Sequence, residues 1–411
     1  MRLAAMRYLL GNLTYAGAQF VIVMLLSKFG SPASVGQYAL GLAVTAPVFM
    51  LSHLHLRAML TVDVAGRYAI GEYAGLRLLT TIAAFGISGA IALLGRFGAE
   101  TVAIILLISV SRVIESISDL WLGICQKHER LDTIAASRAA KGLFSMISIA
   151  LVYIPTHSLS LALLTMITGW FCLTLGLEGR RARQLATLRP VFTAQRLLLL
   201  LRACAPLGVV LALLSLNANI PAYSIAAFRG EHELGIYASL SYFIVACNVV
   251  VTALGEAATP RLALWHAAGL HGDFIRLLRR LMAIGLTVSA AALAGGWLYG
   301  QELLALLYSP AMADETRLFH WILVSTVPVF AASFLWYALT ATGQFKVQVP
   351  LFLATASANA LVCLLAVPGH GLVGAAAGAL AAAGVQTAGG AAALAAAIRK
   401  AKRAERGRAA A

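Results

Sequence analysis

The stretch TVAIILLISVSRVIESISDLWLGIC, residues 101–125, is long and apolar enough to cross a lipid bilayer. It also holds three ionisable side chains, Arg112, Glu115 and Asp119. At spacings of three and seven residues, both acids fall on the same helical face as the arginine. A charge at the bilayer centre costs about 2.5 to 3.5 kcal/mol on insertion scales, so such groups usually face a bundle interior or a watery path. This helix therefore predicts a site inside a membrane bundle.

Two interpretations of this charged stripe stay open. In the first, the three side chains bind cargo or ions. In the second, Arg112 and Glu115 neutralise each other along one helix and serve only to hold the bundle together, because intramembrane ion pairs can be structural as well as functional.

The composition extends the membrane interpretation to the whole chain. Of the 411 residues, 61% are hydrophobic and 11% are charged, and the mean hydropathy is +0.86. Apolar stretches of about 20 residues, the length that crosses the hydrocarbon core, recur roughly twelve times. Continuous apolar runs rather than alternating residues favour helices over a barrel. We therefore predict an all-α polytopic membrane protein with about twelve transmembrane helices.

The basic residues set the expected orientation. Most of the 31 Lys and Arg residues fall in alternate loops, as the positive-inside rule expects of cytoplasmic segments. We therefore expect a multi-pass protein of the cytoplasmic (inner) membrane with both termini in the cytoplasm. Arg112 is the one basic residue that this assignment leaves inside a span. The net charge of +15 is thus explained by topology and by contact with anionic membrane lipids, and no nucleic acid is expected as a partner.

Enzyme chemistry is not visible in the sequence. The five cysteines stand singly, without metal-ligand spacing, and no phosphate-binding loop ends in Gly-Lys-Ser or Gly-Lys-Thr. A glycosyltransferase, polymerase or ligase of membrane polysaccharides would need a large extramembrane loop or a catalytic acid cluster, whereas the loops here are short and basic. We expect no cofactor and no metal, so any transport would be driven by a gradient or by a partner.

Three short motifs recur in order along the chain, which is typical of transporters built from repeats. Each match is weak alone, but all three preserve helix number and membrane side. Chance recurrence of common turn residues is the alternative. The pairs are Gly36-Gln37-Tyr38-Ala39 with Gly235-Ile236-Tyr237-Ala238, Gly123 and Gln126 with Gly343 and Gln344, and Pro155-Thr156-His157 with Pro368-Gly369-His370.

These repeats predict two six-helix bundles in parallel orientation. The first comprises residues 1–178 and the second residues 203–398. Between them we expect a basic cytoplasmic linker, residues 179–202, because this segment sets arginines against a leucine run. Its second part forms either an interfacial helix or the start of the next span, reaching into the cytoplasm. A basic cytoplasmic tail, residues 399–411, follows.

A second polar cluster interrupts the seventh predicted span at Asn217, Asn219, Pro221 and Tyr223. Proline removes a backbone hydrogen bond, so we expect this helix to be bent or locally unwound. Its amides and phenol could bind a polar headgroup or a sugar, or could serve as polar contacts between helices. Glu256, near the cytoplasmic end of the eighth span, could carry a proton or simply meet water at the interface.

Short motifs of one known family run through almost the whole chain. They are Gly36-Gln37-Tyr38-Ala39-Leu40, Ala46-Pro47, Leu56-Arg57, Ser111-Arg112, Asp119, Gly123, Gln126, Glu129-Arg130, Asn219-Ile220-Pro221 and Gly235-Ile236-Tyr237-Ala238. With these motifs the chain resembles the oligosaccharide flippases of the multidrug/oligosaccharidyl-lipid/polysaccharide (MOP) exporter superfamily. The resemblance implies two six-helix bundles in a V shape that open alternately to each side. It also implies translocation of polyprenyl-pyrophosphate-linked glycans for O-antigen, capsule or exopolysaccharide synthesis, with a polysaccharide polymerase and an initiating glycosyltransferase as partners.

One departure from the family pattern directs attention to Arg112. The family often has arginine after the proline of span seven, where this chain has Ala222, so Arg112 becomes the available cation for a pyrophosphate. Glu115 and Asp119 would hold Arg112 in the empty site and take up protons during the return step. A proton- or sodium-coupled drug or metabolite antiporter of the same superfamily is the alternative, because acids outnumber the base on this helix.

Overall fold

The computed structural model describes residues 2–63 and 66–410, and their side chains except those of residues 2–5, 311, 345–346 and 402–410. All regular structure within these ranges is helical. Eleven helical segments there are long and apolar enough to cross a membrane. The chain is thus an all-α polytopic membrane protein, as its composition predicts.

Contacts divide the chain into two compact units, Met1–Leu216 and Asn217–Ala411. The division falls within one helix, α10, so the predicted linker, residues 179–202, lies inside the first unit. Residues 194–202 form the first turns of α10, as the second of the two alternatives for the linker expects. The domain bounds inferred from the repeats stay a prediction.

The helices of the first unit are joined by short connections and by two π-helical turns, Ile149–Tyr153 and Thr174–Gly179. α5 packs against α2, α3, α4 and α8. The charged helix of the sequence analysis is therefore surrounded by protein on several sides. The helices are α1 (Arg2–Phe29), α2 (Pro32–His53), α3 (Leu56–Val62), α4 (Ile70–Leu94), α5 (Ala99–Lys127), α6 (Leu131–Ser148), α7 (Ile154–Thr156), α8 (Leu159–Leu173), α9 (Arg180–Leu185) and α10 (Ala194–Phe228), whose residues from Asn217 onward belong to the second unit.

Local sequence explains where several helices begin. The Ser31 hydroxyl accepts a hydrogen bond from the Ser34 backbone N–H at 3.2 Å, and Pro32 occupies the first turn of α2. Ser158 caps α8 in the same way through the Leu161 N–H. Such caps satisfy backbone donors that would otherwise be lost at the helix ends.

An extended stretch between α9 and α10 lies directly on the start of α4. The Val191 N–H donates to the Gly71 carbonyl at 2.8 Å. A Cβ atom at Gly71 would lie 2.6 Å from the Arg189 carbonyl oxygen, so only glycine permits this approach. The stretch is thereby fixed against the helix that carries Arg77.

The second unit is built around buried aromatic rings. Phe274, Phe330 and Phe334 are fully buried, and α13 packs against α11, α12 and α14. A short 3-10 helix, Pro310–Glu315, precedes α13. The helices are α11 (Glu231–Ala267), α12 (His271–Leu307), α13 (Thr316–Ala341) and α14 (Phe345–Ala410).

α14 is a helical hairpin rather than one straight helix. Gly371 has φ 59° and ψ −137°, which breaks the helix. Gly378 packs against the sulfur of Cys363, although residues 15 apart in a straight helix would be separated by about 22 Å. The eleventh candidate span, Val347–Ala401, therefore covers both of the last two spans that the sequence predicts.

Candidate functional site

The three charges of α5 do not form one cluster. Arg112 Nη1 lies 2.6 Å from Glu115 Oε2, within one turn of the helix. Asp119 instead pairs with Arg77 of α4 and Arg57 of α3, at 2.8 and 3.4 Å. The expectation that both acids hold Arg112 is thus met only by Glu115. Asp119 lies about 10 Å further along the axis, where α3 and α4 pack against α5.

Arg77 and Arg57 share one carboxylate. The Arg77 side chain is 2% exposed, and its Nε and Nη1 atoms have no hydrogen-bond partner among the described residues. Arg57 also donates from Nε to Gln126 Oε1 at 2.9 Å. Two guanidinium groups around one acid leave a positive charge that the described side chains do not neutralise.

A second buried ion pair links α6 to the π-helical turn after α8. Lys141 Nζ lies 2.7 Å from Glu178 Oε1 and donates to Ser118 Oγ at 2.6 Å. Ser137 Oγ also donates to Glu178. The Lys141 side chain is 7% exposed and that of Glu178 is fully buried. Single π turns inside helices are frequent at functional sites, and this one places a carboxylate in the bundle interior.

These networks surround a cavity of about 290 Å³ inside the first unit. Arg138 lines it and lies 5.5 Å from the centre of the Tyr15 ring. No carboxylate among the described residues lies within 4 Å of the Arg138 guanidinium. The cavity is lined by Tyr15, Met50, His53, Arg57, Glu115, Ser118, Asp119, Leu122, Ser137, Arg138, Lys141 and Trp170.

The residues that line the cavity, counted together with their ion-pair partners, include more cations than carboxylates. Arg112, Arg77 and Glu178 do not line it but pair with residues that do. Because the charges sit on helices that can cross a membrane, the excess favours an anionic ligand. The set comprises the five cations Arg57, Arg77, Arg112, Arg138 and Lys141 and the three carboxylates Glu115, Asp119 and Glu178.

The other residues predicted from the sequence belong to the second unit. The backbone and side-chain oxygens of Asn217 accept hydrogen bonds from Asn359 Nδ2 at 2.9 and 3.0 Å. This contact favours the interpretation of Asn217 as a polar contact between helices. Asn219 and Tyr223 follow on α10, and Glu256 is exposed on α11.

The expected unwinding of the seventh span is not present. α10 is helical from Ala194 to Phe228, through Pro221. Proline costs one backbone hydrogen bond without forcing the chain out of helical dihedral angles. The polar cluster of this span therefore lies on continuous helix, and the bend at Pro221 stays a prediction.

Sequence reasoning missed Arg77 and Lys141, because counting basic residues for the orientation assigned both to cytoplasmic loops. In the structure both are buried within candidate spans. A usable signal was the four-residue spacing of polar side chains, since Arg77 precedes Thr81 and Lys141 lies between Ser137 and Ser145. Such spacing puts the polar groups on one helical face.

Comparison with known proteins supports a transporter fold. No family model matches the chain. The capsular polysaccharide biosynthesis protein CapF of Staphylococcus aureus is 24% identical over 377 residues, which covers 89% of this chain and 92% of CapF.

Solved structures match nearly the full length. The lipid II flippase MurJ in an inward closed conformation superposes with a TM-score of 0.76 at 10% identity, covering 95% of this chain and 87% of MurJ. An inward-facing multidrug resistance MATE family transporter of the MOP superfamily gives 0.71 at 13% identity and 96% coverage of both chains. A single-residue mutant of the Vibrio cholerae MATE transporter VcmN gives 0.63 at 15% identity, covering 98% of this chain and 96% of VcmN.

The fold is that of solved multi-pass membrane transporters. The chain therefore has the fold of MOP-superfamily transporters, and its sequence is similar to that of CapF over most of both chains. The all-α membrane-transporter fold that the sequence resemblance implies is thereby confirmed.

Proposed function

We propose that the chain is a flippase for polyprenyl-pyrophosphate-linked oligosaccharide units. It would move them from the cytoplasmic to the outer leaflet of the cytoplasmic membrane for the synthesis of O-antigen, capsule or exopolysaccharide. The observation that carries the proposal is the excess of cations around the cavity of the first unit. The similarity to CapF, named for capsular polysaccharide biosynthesis, and to MurJ, named a lipid II flippase, supports it.

The chemistry of the cargo matches these charges. A pyrophosphate cannot cross hydrocarbon without compensation of its charge, and guanidinium groups bind phosphate through two parallel hydrogen bonds. Arg138 lacks a carboxylate partner among the described side chains, so it can receive a phosphate oxygen without first breaking an ion pair. Arg57 and Arg77 share Asp119, so a phosphate could replace Asp119 as the ion-pair partner of one arginine while the other keeps the carboxylate.

The mechanism follows from these contacts. The headgroup would be captured from the cytoplasmic side while the polyprenyl tail stays in lipid, and alternating access would then expose the headgroup to the outer side. Arg112, held by Glu115 at 2.6 Å, would be released when an anion draws it away. Asn217, Asn219 and Tyr223 are proposed to contact the sugar.

The membrane setting of the flippase also remains a proposal. We place both termini in the cytoplasm, where the basic segments would meet anionic lipid. A polysaccharide polymerase and an initiating glycosyltransferase would act in the same membrane. Glu256, exposed on α11, together with Glu115 and Asp119, would carry protons or sodium ions if transport is ion-coupled.

A drug or metabolite antiporter is the second candidate function. It is favoured by the fold similarity to multidrug resistance MATE transporters. The charges of the cavity argue against cationic drugs, because both carboxylates that line it already pair with arginines. The excess positive charge would repel a cationic cargo.

Deletion of the gene in the source organism distinguishes the two functions. A flippase predicts loss of the surface polysaccharide and accumulation of its lipid-linked unit facing the cytoplasm. An antiporter predicts unchanged polysaccharide and greater sensitivity to cationic drugs. Complementation with the intact gene should reverse either phenotype.

A further inference from the structure

A second cavity, of about 520 Å³, lies on the outer side of α4 and α5 and is mainly apolar. The residues that shape it include Leu78, Ile82 and Phe85 of α4 and Val110, Val113 and Trp121 of α5. We call this cavity the lateral groove. The stretch that follows α9 closes one end with Leu188 and Pro190.

The lateral groove and the charged cavity lie on opposite faces of α5. Glu115, Asp119 and Leu122 face the charged cavity, whereas Val113 and Ile117 face the groove. At about 100° per residue, these two sets are separated by close to half a turn of the helix. The groove is therefore a separate site from the one proposed for the cargo.

The dimensions of the groove suit a lipid chain. It extends along α5 from Leu120 to Val110, about 15 Å at the helical rise. Ile82 is 60% exposed in its wall. In a chain that spans a membrane, hydrocarbon is the solvent that covers such a surface.

Two arginines, Arg77 and Arg183, add charge to this apolar surface. Two of the three guanidinium nitrogens of Arg77 are buried without a hydrogen-bond partner in the described part of the chain. Arg183 is exposed, and no described carboxylate lies within ion-pair distance of it. A phosphodiester beside the groove would supply acceptors to both.

We propose that the lateral groove binds an anionic phospholipid of the bilayer. One acyl chain lies in the groove between α4 and α5, and the phosphate is bound by Arg183 at the rim and Arg77 deeper in. Basic pockets between helices at the cytoplasmic side bind anionic lipid headgroups by this chemistry. The position of the groove, across α5 from the charged cavity, favours a bilayer lipid over the polyprenyl cargo.

Arg77 connects the two sites. Its Nη2 holds Asp119, which lines the charged cavity, while the arginine itself lines the groove. A lipid phosphate that binds Arg77 weakens its hold on Asp119 and leaves Arg57 as the main partner of that carboxylate. Lipid composition thereby adjusts the charge available to the cargo.

Trp121 makes binding measurable without a transport assay. Phospholipids with brominated acyl chains quench tryptophans that they contact, and the difference between the full chain and Trp121→Phe isolates the signal from the groove. We would titrate brominated phosphatidylglycerol and brominated phosphatidylcholine into the purified full-length protein. Arg183→Gln is the test variant, and Arg189→Gln, an exposed arginine that does not line the groove, is the matched control.

The proposal predicts half-maximal quenching of Trp121 at an approximately fivefold lower concentration of the anionic lipid. Arg183→Gln should abolish this preference, and Arg189→Gln should retain it. Equal quenching by both lipids, or equal losses in both variants, would overturn the proposal. Displacement of the brominated anionic lipid by equimolar polyprenyl phosphate would also overturn it, because the groove would then belong to the cargo. None of these readouts depends on the flippase activity.

Discussion

Arg77 Nη2 lies 2.8 Å from Asp119 Oδ2, and the second carboxylate oxygen lies 3.4 Å from Arg57 Nη1. The three side chains come from α4, α5 and α3, so this contact ties three helices together through charge. Removing one partner of a buried ion pair destabilises a protein strongly, because the other charge is left uncompensated, whereas replacing both partners by apolar residues is often neutral. This triad of Arg57, Arg77 and Asp119 therefore links three helices and also places two cations beside the cavity.

The first prediction concerns this triad. Arg77→Met should lower the free energy of unfolding by about 3 to 5 kcal/mol, because Asp119 loses its nearest partner. The double variant Arg77→Met with Asp119→Leu should recover part of the loss, since apolar pairs of similar volume replace buried ion pairs well. Thermal unfolding in detergent would measure both, with Arg189→Met as the exposed control. Equal stability of Arg77→Met and the intact chain would contradict the role assigned to the pair.

The second prediction concerns the turn of the α14 hairpin. Gly371→Ala should destabilise the protein by roughly 1 to 3 kcal/mol, because φ 59° with ψ −137° is a backbone conformation that is costly for any residue with a Cβ atom. Gly369→Ala is the matched control, since a Cβ there meets nothing within 4 Å. Melting temperatures that fall equally in the two variants would show that Gly371 has no special role.

The third prediction concerns Arg112. Arg112→Gln should abolish transport while its membrane abundance stays near that of the intact chain, because both partners of the pair keep some exposure, 25% and 30%. Arg112→Lys keeps the charge and should retain measurable transport. Immunoblotting of membranes alongside complementation of the deletion strain separates activity from abundance. Loss of the protein from the membrane in Arg112→Gln would make the residue structural.

Asp63, at the end of α3, gives a fourth prediction, on pH. Burial acts to raise the pKa of its carboxyl, but backbone N–H groups of Arg67 and Tyr68 donate to it at 2.9 and 3.1 Å. The charge of Lys127 and the Tyr73 hydroxyl add to this effect, and the resulting pKa lies below its ordinary value. The charged form therefore stabilises the folded protein above pH about 4, and this stabilisation disappears as the pH falls through the lowered pKa.

The variant Asp63→Asn tests the direction in which this stabilisation changes with pH. It should melt at a lower temperature than the intact chain at pH 7, and the difference should shrink as the pH falls below about 4. Thermal unfolding in detergent across this range gives the comparison. A difference that stays constant with pH would mean that the ionised carboxylate adds no stability.

The membrane class of the chain could be predicted from the sequence because it depends on local properties. Apolar length and the absence of alternation define helices that cross a bilayer. The Arg112–Glu115 pair could also be predicted, because a spacing of three residues within one helix brings two side chains together. Each of these inferences needs only one segment of chain.

The remainder of the site depends on packing between segments that are far apart in sequence. Asp119 meets Arg77 and Arg57 only because α4 and α3 pack on α5, and no spacing within α5 reveals that. Lys141 and Glu178 lie on different helices and meet in the same way. The positive-inside rule assigned Arg77 and Lys141 to cytoplasmic loops, because it assumes that basic residues lie outside the spans.

We propose that the excess cations of the cavity bind the anionic headgroup of the cargo, and Arg138 is the residue whose replacement measures this binding. Its guanidinium lines the cavity and lacks a carboxylate partner among the described residues, so its removal should leave folding intact. The measurement is the rate at which purified protein in liposomes translocates a fluorescent polyprenyl-pyrophosphate disaccharide.

Arg138→Gln should lower this rate by about tenfold or more, the effect expected from loss of a charge-assisted hydrogen bond. Arg138→Lys should recover part of the rate, and Arg189→Gln should leave it unchanged. An unaltered rate in Arg138→Gln, with the intact chain active in the same liposomes, would contradict the claim.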